Sequence, residues 1–231
     1  DGDTEKYTQL QTAEDAVYET QEAFRESAYT LFDRNLLYTP WNKLYRSSYL
    51  QEKGLRFPET WMDDFPFNLS VVREVESVVV SSKAYYHFMR ARAESETAKY
   101  RSNLYEKREE EHDWMLDLYR YWNIRNDAAR AAGMEMVFRR YAERIVGCIE
   151  NVTNPNCTLS SKERKAEIRR ILENPRVSEA LSHARPKSAY MRLMLLPVKW
   201  KNVTLCYAEG IFISAVKRRH VKTFAKLKAN R

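Results

Sequence analysis

Two adjacent carboxylates, Asp63 and Asp64, are the residues of this chain best suited to acid–base chemistry. They precede an apolar segment that we predict to be a helix, and Pro66 suits the first turn of that helix. Two neighbouring negative charges raise one pKa, whereas a helix N-terminus lowers it. The pattern fits an ionised carboxylate acting as a general base on a hydroxyl group, and it also fits a helix cap. The dipeptide alone leaves both interpretations open.

Two blocks of aromatic and cationic side chains lie on either side of this pair. Residues 41–46 read WNKLYR, and residues 85–92 read YYHFMRAR. Cations of this kind suit phosphates, and aromatic faces suit the C–H surfaces of sugars. Taken alone, the first block also fits an amphipathic helix. The second fits an edge strand that places Arg90 and Arg92 on the same side.

The elements that must position these residues are predicted to be mainly α with a small β element. The predicted helices cover 13–35, 41–51, 64–75, 98–122, 125–150, 160–173, 177–184 and, with breaks, 188–227, and the predicted strands cover 76–81 and 83–90. Thr12 is expected to cap the first helix, Ser160 and Glu163 form a capping box, and Asn174-Pro175 ends a helix. We predict two domains, 1–97 and 98–231.

Composition excludes several classes of site. The five glycines are far apart, so the chain carries neither a P-loop nor a dinucleotide fingerprint, both of which need clustered glycines. The three cysteines follow no pattern, which predicts a reducing compartment and no metal site. No apolar run approaches the roughly 18 residues of a membrane span, and the polar start does not resemble a signal peptide. We therefore expect a cytoplasmic location.

The formal net charge of +7 is concentrated at the C-terminal end of the sequence. Residues 217–231 contain seven lysines and arginines and no acidic residue. This segment predicts either peripheral contact with the anionic inner face of a membrane or a solvated helix end, since cations also suit a helix C-terminus. We do not expect nucleic acid as a partner, because no reader motif accompanies the charge.

Four motifs in a fixed order closely resemble glycosyltransferase family 2. These are WNKLYR, the LRFPE segment, the carboxylate pair with Phe67 three residues after its second member, and Y-x-F-x-R-x-R-x-x-S-x-T over 86–97. The resemblance covers about residues 38–97. It implies the C-terminal portion of a GT-A α/β glycosyltransferase, followed by a helical C-terminal extension, and inverting transfer from a nucleotide-diphosphate sugar to a glycan or lipid-linked acceptor.

The resemblance also implies residue roles. The Glu-Asp pair of the family falls on Asp63-Asp64, so Asp64 becomes the catalytic base and Asp63 replaces the usual glutamate. Trp41, Asn42 and Lys43 match a substrate-binding motif near the cleft. The remaining motif contributes Arg90, Arg92 and Ser95, which match a segment that closes over the donor phosphates or the acceptor.

Family members carry a nucleotide-binding half and an Asp-x-Asp metal motif before the WNK block, and this sequence has no counterpart to that half. Asp1-Gly2-Asp3 matches the Asp-x-Asp pattern, but no apolar strand leads into it. We expect a divalent metal, Mn²⁺ or Mg²⁺, in the longer enzyme, with ligands mostly outside this chain. An apolar face left uncovered without that half would favour a homodimer. The alternative function is a non-catalytic helical module that binds an anionic membrane surface through 217–231.

Overall fold

The computed structural model describes residues 10–60, 62–87 and 100–219. Within them the chain is mainly α-helical with one two-stranded antiparallel sheet, which confirms the coarse prediction. The strands are β1 (Ala16–Tyr18) and β2 (Val78–Val80). The helices are α1 (Gln21–Asp33), α2 (Ser47–Glu52), α3 (Asp64–Arg73), α4 (Leu104–Trp122), α5 (Asp127–Val152), α6 (Ser161–Glu173), α7 (Pro175–His183), α8 (Ala189–Met194), α9 (Leu196–Lys199) and α10 (Val203–Arg219).

The described residues belong to two compact units. The N-terminal unit contains residues 10–60, 62–87 and 113–136, and the C-terminal unit contains residues 100–112 and 137–219. The predicted domain boundary at residue 97 lies outside the described residues.

The β element pairs two segments that are far apart in the sequence. Strand β1 runs antiparallel to β2, with Val17 opposite Val79. The Asp15 carboxylate joins the ends of the two strands, because it accepts hydrogen bonds from the Ser82 N–H (2.6 Å) and the Ser82 hydroxyl (3.0 Å). A strand therefore occupies the start of the helix predicted over 13–35, and that predicted start is wrong.

Two further local predictions are corrected in the N-terminal unit. Thr20, not Thr12, caps α1 and accepts a hydrogen bond from the Ala23 N–H at 3.2 Å. The strand predicted over 83–90 is wrong for residues 83–87, which have no strand, and residues 88–90 lie outside the described part of the chain. The strand predicted over 76–81 is present as β2, and it pairs with β1, which lies far away in the sequence.

Helices α1 and α2 both end in a left-handed residue that reverses the chain. Asn35 has φ 59° after α1, and Gly54 has φ 61° after α2. In each case the next residue donates its N–H across the last turn, from Leu36 to Leu31 O and from Leu55 to Leu50 O, both at 2.9 Å. The helix predicted over 41–51 is shorter than expected, because only α2 is helical there. A 3₁₀ turn covers Pro40–Asn42, extended residues follow, and α2 comes last.

Aromatic side chains fill the core of the N-terminal unit. Phe24 and Phe32 of α1 are fully buried. The Phe32 ring lies 6.5 Å from the rings of both Phe65 and Trp122, and Tyr38 stacks on Phe65 at 4.2 Å. These edge-on and stacked contacts join α1, α3 and the end of α4. The helix predicted over 64–75 is present as α3.

The C-terminal unit confirms the predicted helix punctuation. Ser160 and Glu163 form the reciprocal capping box of α6. Asn174 ends α6 and caps α7, whose first turn contains Pro175. Helix α10 packs against α6 and α9. The helix predicted over 188–227 is divided into α8, α9 and α10 as far as residue 219.

A buried charge cluster lies inside the C-terminal unit. Glu111 is only 5% exposed and pairs with Arg108 and with Arg144 at 3.2 Å. Burial alone would raise the pKa of Glu111, but the two guanidinium groups outweigh it and lower that pKa to about 2. The Cys148 thiol lies in the same region, and burial raises its pKa to about 12. All three cysteines are free and buried.

Among the described helices, none combines the length and the apolarity that crossing a bilayer requires.

Two glycines of α5 provide a matched test of packing. A Cβ at Gly133 would lie 2.2 Å from Cε1 of the buried Tyr119, whereas a Cβ at Gly147 would meet nothing within 4 Å. We expect Gly133→Ala to lower the free energy of unfolding by about 1–3 kcal/mol through overpacking. Gly147→Ala should raise it by about 0.5–1 kcal/mol through helix propensity. Urea denaturation measures both, and equal effects would contradict the close approach of Tyr119.

Candidate functional site

The C-terminal end of α3 is fixed by side chains from three other helices. Helices α1, α2 and α4 all donate hydrogen bonds to main-chain carbonyls of its last turn. The bonds are Tyr49 Oη to Val71 O (2.8 Å), Arg25 Nη2 and Trp122 Nε1 to Arg73 O (both 3.1 Å), and Gln21 Nε2 to Glu74 O (2.9 Å). Carbonyls at this end have no partner inside the helix, so the bonds both satisfy them and fix the helix position.

The carboxylate pair stands at the opposite end of α3. Asp63 occupies the N-cap position, but its side chain makes no capping hydrogen bond, and Asp64 lies in the first turn. Met62, directly before the pair, has φ 66°. A left-handed conformation is unfavourable for a residue with a side chain such as methionine. The chain thus enters α3 through a strained residue, and the Asp63 carboxylate does not serve as a cap.

Asn68 connects Asp64 to the block at 41–46. Its side chain is fully buried, and Nδ2 donates to the main-chain carbonyl of Asp64 at 2.8 Å. Its Oδ1 accepts a hydrogen bond from the Tyr45 hydroxyl at 2.6 Å. Sequence reasoning did not single out Asn68. Its spacing could have indicated it, because Asn68 lies four residues after Asp64. An asparagine at that spacing in a helix can bond the carbonyl one turn earlier.

Lys43 is held by the loop that follows α1. Its ammonium group donates to Leu36 O (2.6 Å), Thr39 O (2.5 Å) and Asn42 Oδ1 (2.7 Å). The Asn42 amide also donates to Leu36 O at 3.1 Å. An ammonium has three N–H donors, and all three have acceptors here. The polar atoms of Asn42 and Lys43 therefore close this loop, while their substrate-binding roles stay predictions.

The charges of this region act on one another. Burial and the neighbouring Asp63 carboxylate raise the pKa of Asp64, and the Lys43 ammonium opposes that rise. Burial lowers the pKa of Lys43 to about 7, which Asp64 opposes. The three acceptors of Lys43 also favour its charged form. Burial, together with Asp64, raises the pKa of Tyr45 to about 12, so this phenol stays protonated and donates to Asn68.

An exposed aromatic pair joins the two motif blocks. The Trp41 ring stacks on the Tyr86 ring at 4.4 Å, and the two residues are 39% and 50% exposed. Tyr86 opens the Y-x-F-x-R-x-R segment, although it was not among the predicted site residues. The predicted Arg90, Arg92 and Ser95 lie outside the described residues, as do Asp1 and Asp3.

The described residues do not fit a metal site. They contain no group of three His, Cys, Asp or Glu side chains arranged to hold an ion, and Asp63 and Asp64 offer only two carboxylates. A groove of about 250 Å³ lies near the other end of α3. It is lined by Tyr49, Lys53, Leu55, Ser70, Arg73 and Glu74, so it does not include the carboxylate pair.

The geometry brings together residues that the sequence separates. The 41–45 segment contributes a stacked indole, an ammonium and a phenol, and the start of α3 contributes two carboxylates. Burial and the Asp63 carboxylate raise the pKa of Asp64, which makes its ionised form a better proton acceptor. The arrangement places a proton acceptor beside the Lys43 ammonium and the Tyr45 phenol.

Comparisons of this chain with protein-family models, with curated proteins and with solved structures give no match.

The Lys43 contacts predict a stability effect. Lys43→Met keeps the aliphatic stem but leaves Thr39 O without its donor and Leu36 O with one donor fewer. We expect the free energy of unfolding to fall by about 1 kcal/mol, because the acceptors that lose a donor are half-buried. Lys53→Met is the matched control, because its ion pair with Glu74 is exposed and its loss should change little. Equal behaviour of the two variants in urea denaturation would contradict the loop-closing role.

Proposed function

We propose that residues 38–97 form the acceptor side of an inverting glycosyltransferase of family 2. The enzyme transfers a sugar from a nucleotide-diphosphate sugar to a hydroxyl of a glycan or lipid-linked acceptor, in the synthesis of cell-surface polysaccharide or glycoconjugates. One observation carries the proposal. Burial and the neighbouring Asp63 carboxylate raise the pKa of Asp64, which stands beside the ammonium of Lys43 in the WNK motif.

Asp64 acts as the general base in this proposal. Its carboxylate takes the proton of the acceptor hydroxyl while the acceptor oxygen forms a bond to the anomeric carbon of the donor sugar. The bond from that carbon to the diphosphate oxygen breaks in the same step, and the diphosphate leaves with the electron pair. A single displacement inverts the anomeric centre. A raised pKa suits this role, because a base closer to the operating pH holds a transferred proton better.

The remaining residues position the base and the substrates. Asn68 fixes the first turn of α3 through the Asp64 carbonyl, and Tyr45 in turn orients Asn68. Asp63 maintains the negative potential beside the base. In the proposal Trp41, with Tyr86, offers its exposed face to the acceptor. The other predicted contacts are Asn42, Lys43, Arg90, Arg92 and Ser95.

The proposal assigns the donor nucleotide to a part of the enzyme that these 231 residues do not contain. The proposal assigns the Mn²⁺ or Mg²⁺ that would bind the diphosphate to the same part of the enzyme as the nucleotide. In fold terms, residues 1–97 belong to a GT-A domain and residues 98–231 form its helical extension. This division predicts that the chain is inactive alone. The proposed location is cytoplasmic, with peripheral contact of 217–231 at the inner face of the membrane.

Asp64→Asn tests the base. In the full-length parent enzyme we expect turnover to fall by about 10²–10⁴-fold, because the amide cannot accept the proton. Asp127→Asn is the matched control, since Asp127 also lies in the first turn of a helix but is 85% exposed at its side chain. Near-normal turnover of Asp64→Asn, or an equal loss in the control, would remove Asp64 from this role.

The same substitution should increase stability. A carboxyl group whose pKa is raised by folding loses stabilising free energy as the pH rises through that pKa, so the ionised Asp64 opposes folding near neutral pH. We expect Asp64→Asn to unfold at higher urea concentration than the wild type at pH 8, and the two proteins to differ less at pH 3. A variant that loses both turnover and stability would indicate a structural role.

Nucleotide-sugar binding tests the division of the enzyme. We expect the parent to bind and hydrolyse nucleotide-diphosphate sugars with added Mn²⁺, and this chain to do neither, as measured by calorimetry and product release. Binding by this chain alone would place a nucleotide site within it. In that case Asp1 and Asp3 would be the first ligands to substitute.

A further inference from the structure

Helix α10 is apolar on two opposite sides. One side is buried within the C-terminal unit and contains Cys206, Gly210 and Ile213. The other side carries Leu205, Ala208, Ile211 and Phe212, which recur at helical spacing and are all exposed. We call these four residues the α10 stripe. A contiguous apolar face on a helix is normally covered, so an exposed one is a candidate interaction surface.

The exposure of the stripe is large for such side chains. Phe212 is 64% exposed, and Leu205 and Ile211 are 43% and 44% exposed. From Leu205 to Phe212 the stripe runs about 10 Å along the helix axis, which is two turns. Trp200, just before the helix, is 64% exposed as well. Isolated apolar side chains on a surface are ordinary, but a row of them on one helix face is an interaction surface.

The charge that follows the stripe identifies the partner. Lys217, Arg218 and Arg219 end the helix, and four more cations follow by residue 231 with no acidic residue among them. Arg218 and Arg219 come seven residues after Ile211 and Phe212, which is two helical turns. Apolar residues joined directly to a cationic segment are typical of helices that lie in the plane of an anionic membrane surface.

The acidic content of α10 is compatible with such a partner. Glu209 is the acidic residue of this helix, and its side chain is half-buried. Burial raises the pKa of Glu209 to about 7, so its negative charge is reduced near neutral pH. A second copy of the chain is a poorer occupant, because each copy carries a formal net charge of +7 and the two repel.

We propose that the α10 stripe inserts into the headgroup region of an anionic lipid bilayer, with the cations of 217–231 held at the lipid phosphates and carboxylates. The stripe supplies apolar burial in the membrane, and the cations supply the attraction that brings it there. The inference extends the membrane contact proposed for 217–231 to the exposed face of α10, and it does not depend on the sugar-transfer reaction. Its partner is the lipid surface itself and not the acceptor of the reaction.

Vesicle binding of the 231-residue chain tests the proposal. The probes are phosphatidylcholine vesicles with and without about one third phosphatidylserine, at about 0.1 M salt, where surface charges are partly screened. We expect the wild type to bind the anionic vesicles and the double variant Ile211→Ser/Phe212→Ser to bind them roughly tenfold or more weakly, because two apolar side chains no longer insert. Equal binding to both vesicle types by the wild type would overturn the proposal.

A matched variant separates the stripe from general surface apolarity. Leu10→Ser/Leu44→Ser also removes two large exposed side chains, which are 69% and 103% exposed and belong to the N-terminal unit. We expect it to bind like the wild type, and circular dichroism should show that both variants are folded. If both double variants bind like the wild type, the tail binds by charge alone and the stripe has no part in it. If both lose binding equally, the stripe is not specific, and the proposal fails.

Depth and self-association provide the remaining readouts. In Phe212→Trp the added indole should be quenched by lipids with brominated acyl chains beyond the quenching of the five native tryptophans. No additional quenching would mean that the stripe stays outside the bilayer. Light scattering should show no change of oligomeric state in Ile211→Ser/Phe212→Ser. A dimer that this variant converts to a monomer, with vesicle binding unchanged, would assign the stripe to a second copy instead.

Discussion

The N-terminal unit depends on the fixed placement of α3. Side chains from α1, α2 and α4 bond the carbonyls of its last turn, and its first turn is tied to Tyr45 through Asn68. A helix of this length has few main-chain hydrogen bonds of its own, so these external bonds determine where both ends lie. The position of α3 determines where the Asp64 side chain lies. Any acid–base chemistry at this site therefore depends on the bonds that hold the helix.

The aromatic core and the polar bonds of this unit have complementary roles. The rings of Phe32, Phe65 and Trp122 make contacts that join three helices, but ring contacts tolerate small rotations. The indole N–H of Trp122 also donates to the Arg73 carbonyl, so one residue both packs and fixes register. The strained Met62 is tolerated at the start of the helix, because both ends of α3 are held by other elements.

Sequence patterns predicted those features that local residues determine. Helices α3 and α6, the capping box at Ser160 and the break at Asn174 depend on residues within one or two turns, and each was predicted close to its observed place. The strand β1 was missed, because three residues carry too weak a pattern and their partner lies far along the chain. The Trp41–Tyr86 stack was beyond local reasoning for the same reason. The motif order predicted that 41–46 and 63–64 belong to one site. It could not show that the N–H donors of the Lys43 ammonium bond to oxygens of its own loop.

The Lys43 ammonium also constrains how this sequence can diverge. Two of its acceptors are main-chain carbonyls, which every amino acid provides, so the side chains at 36 and 39 can change while the bonds persist. Position 43 itself has no such freedom. A guanidinium spreads its donors over a planar fork, and a neutral amide has only two, so neither meets three oxygens around a single point. The loop should therefore tolerate substitution at positions 36 and 39 better than at position 43, where a lysine ammonium meets all three oxygens.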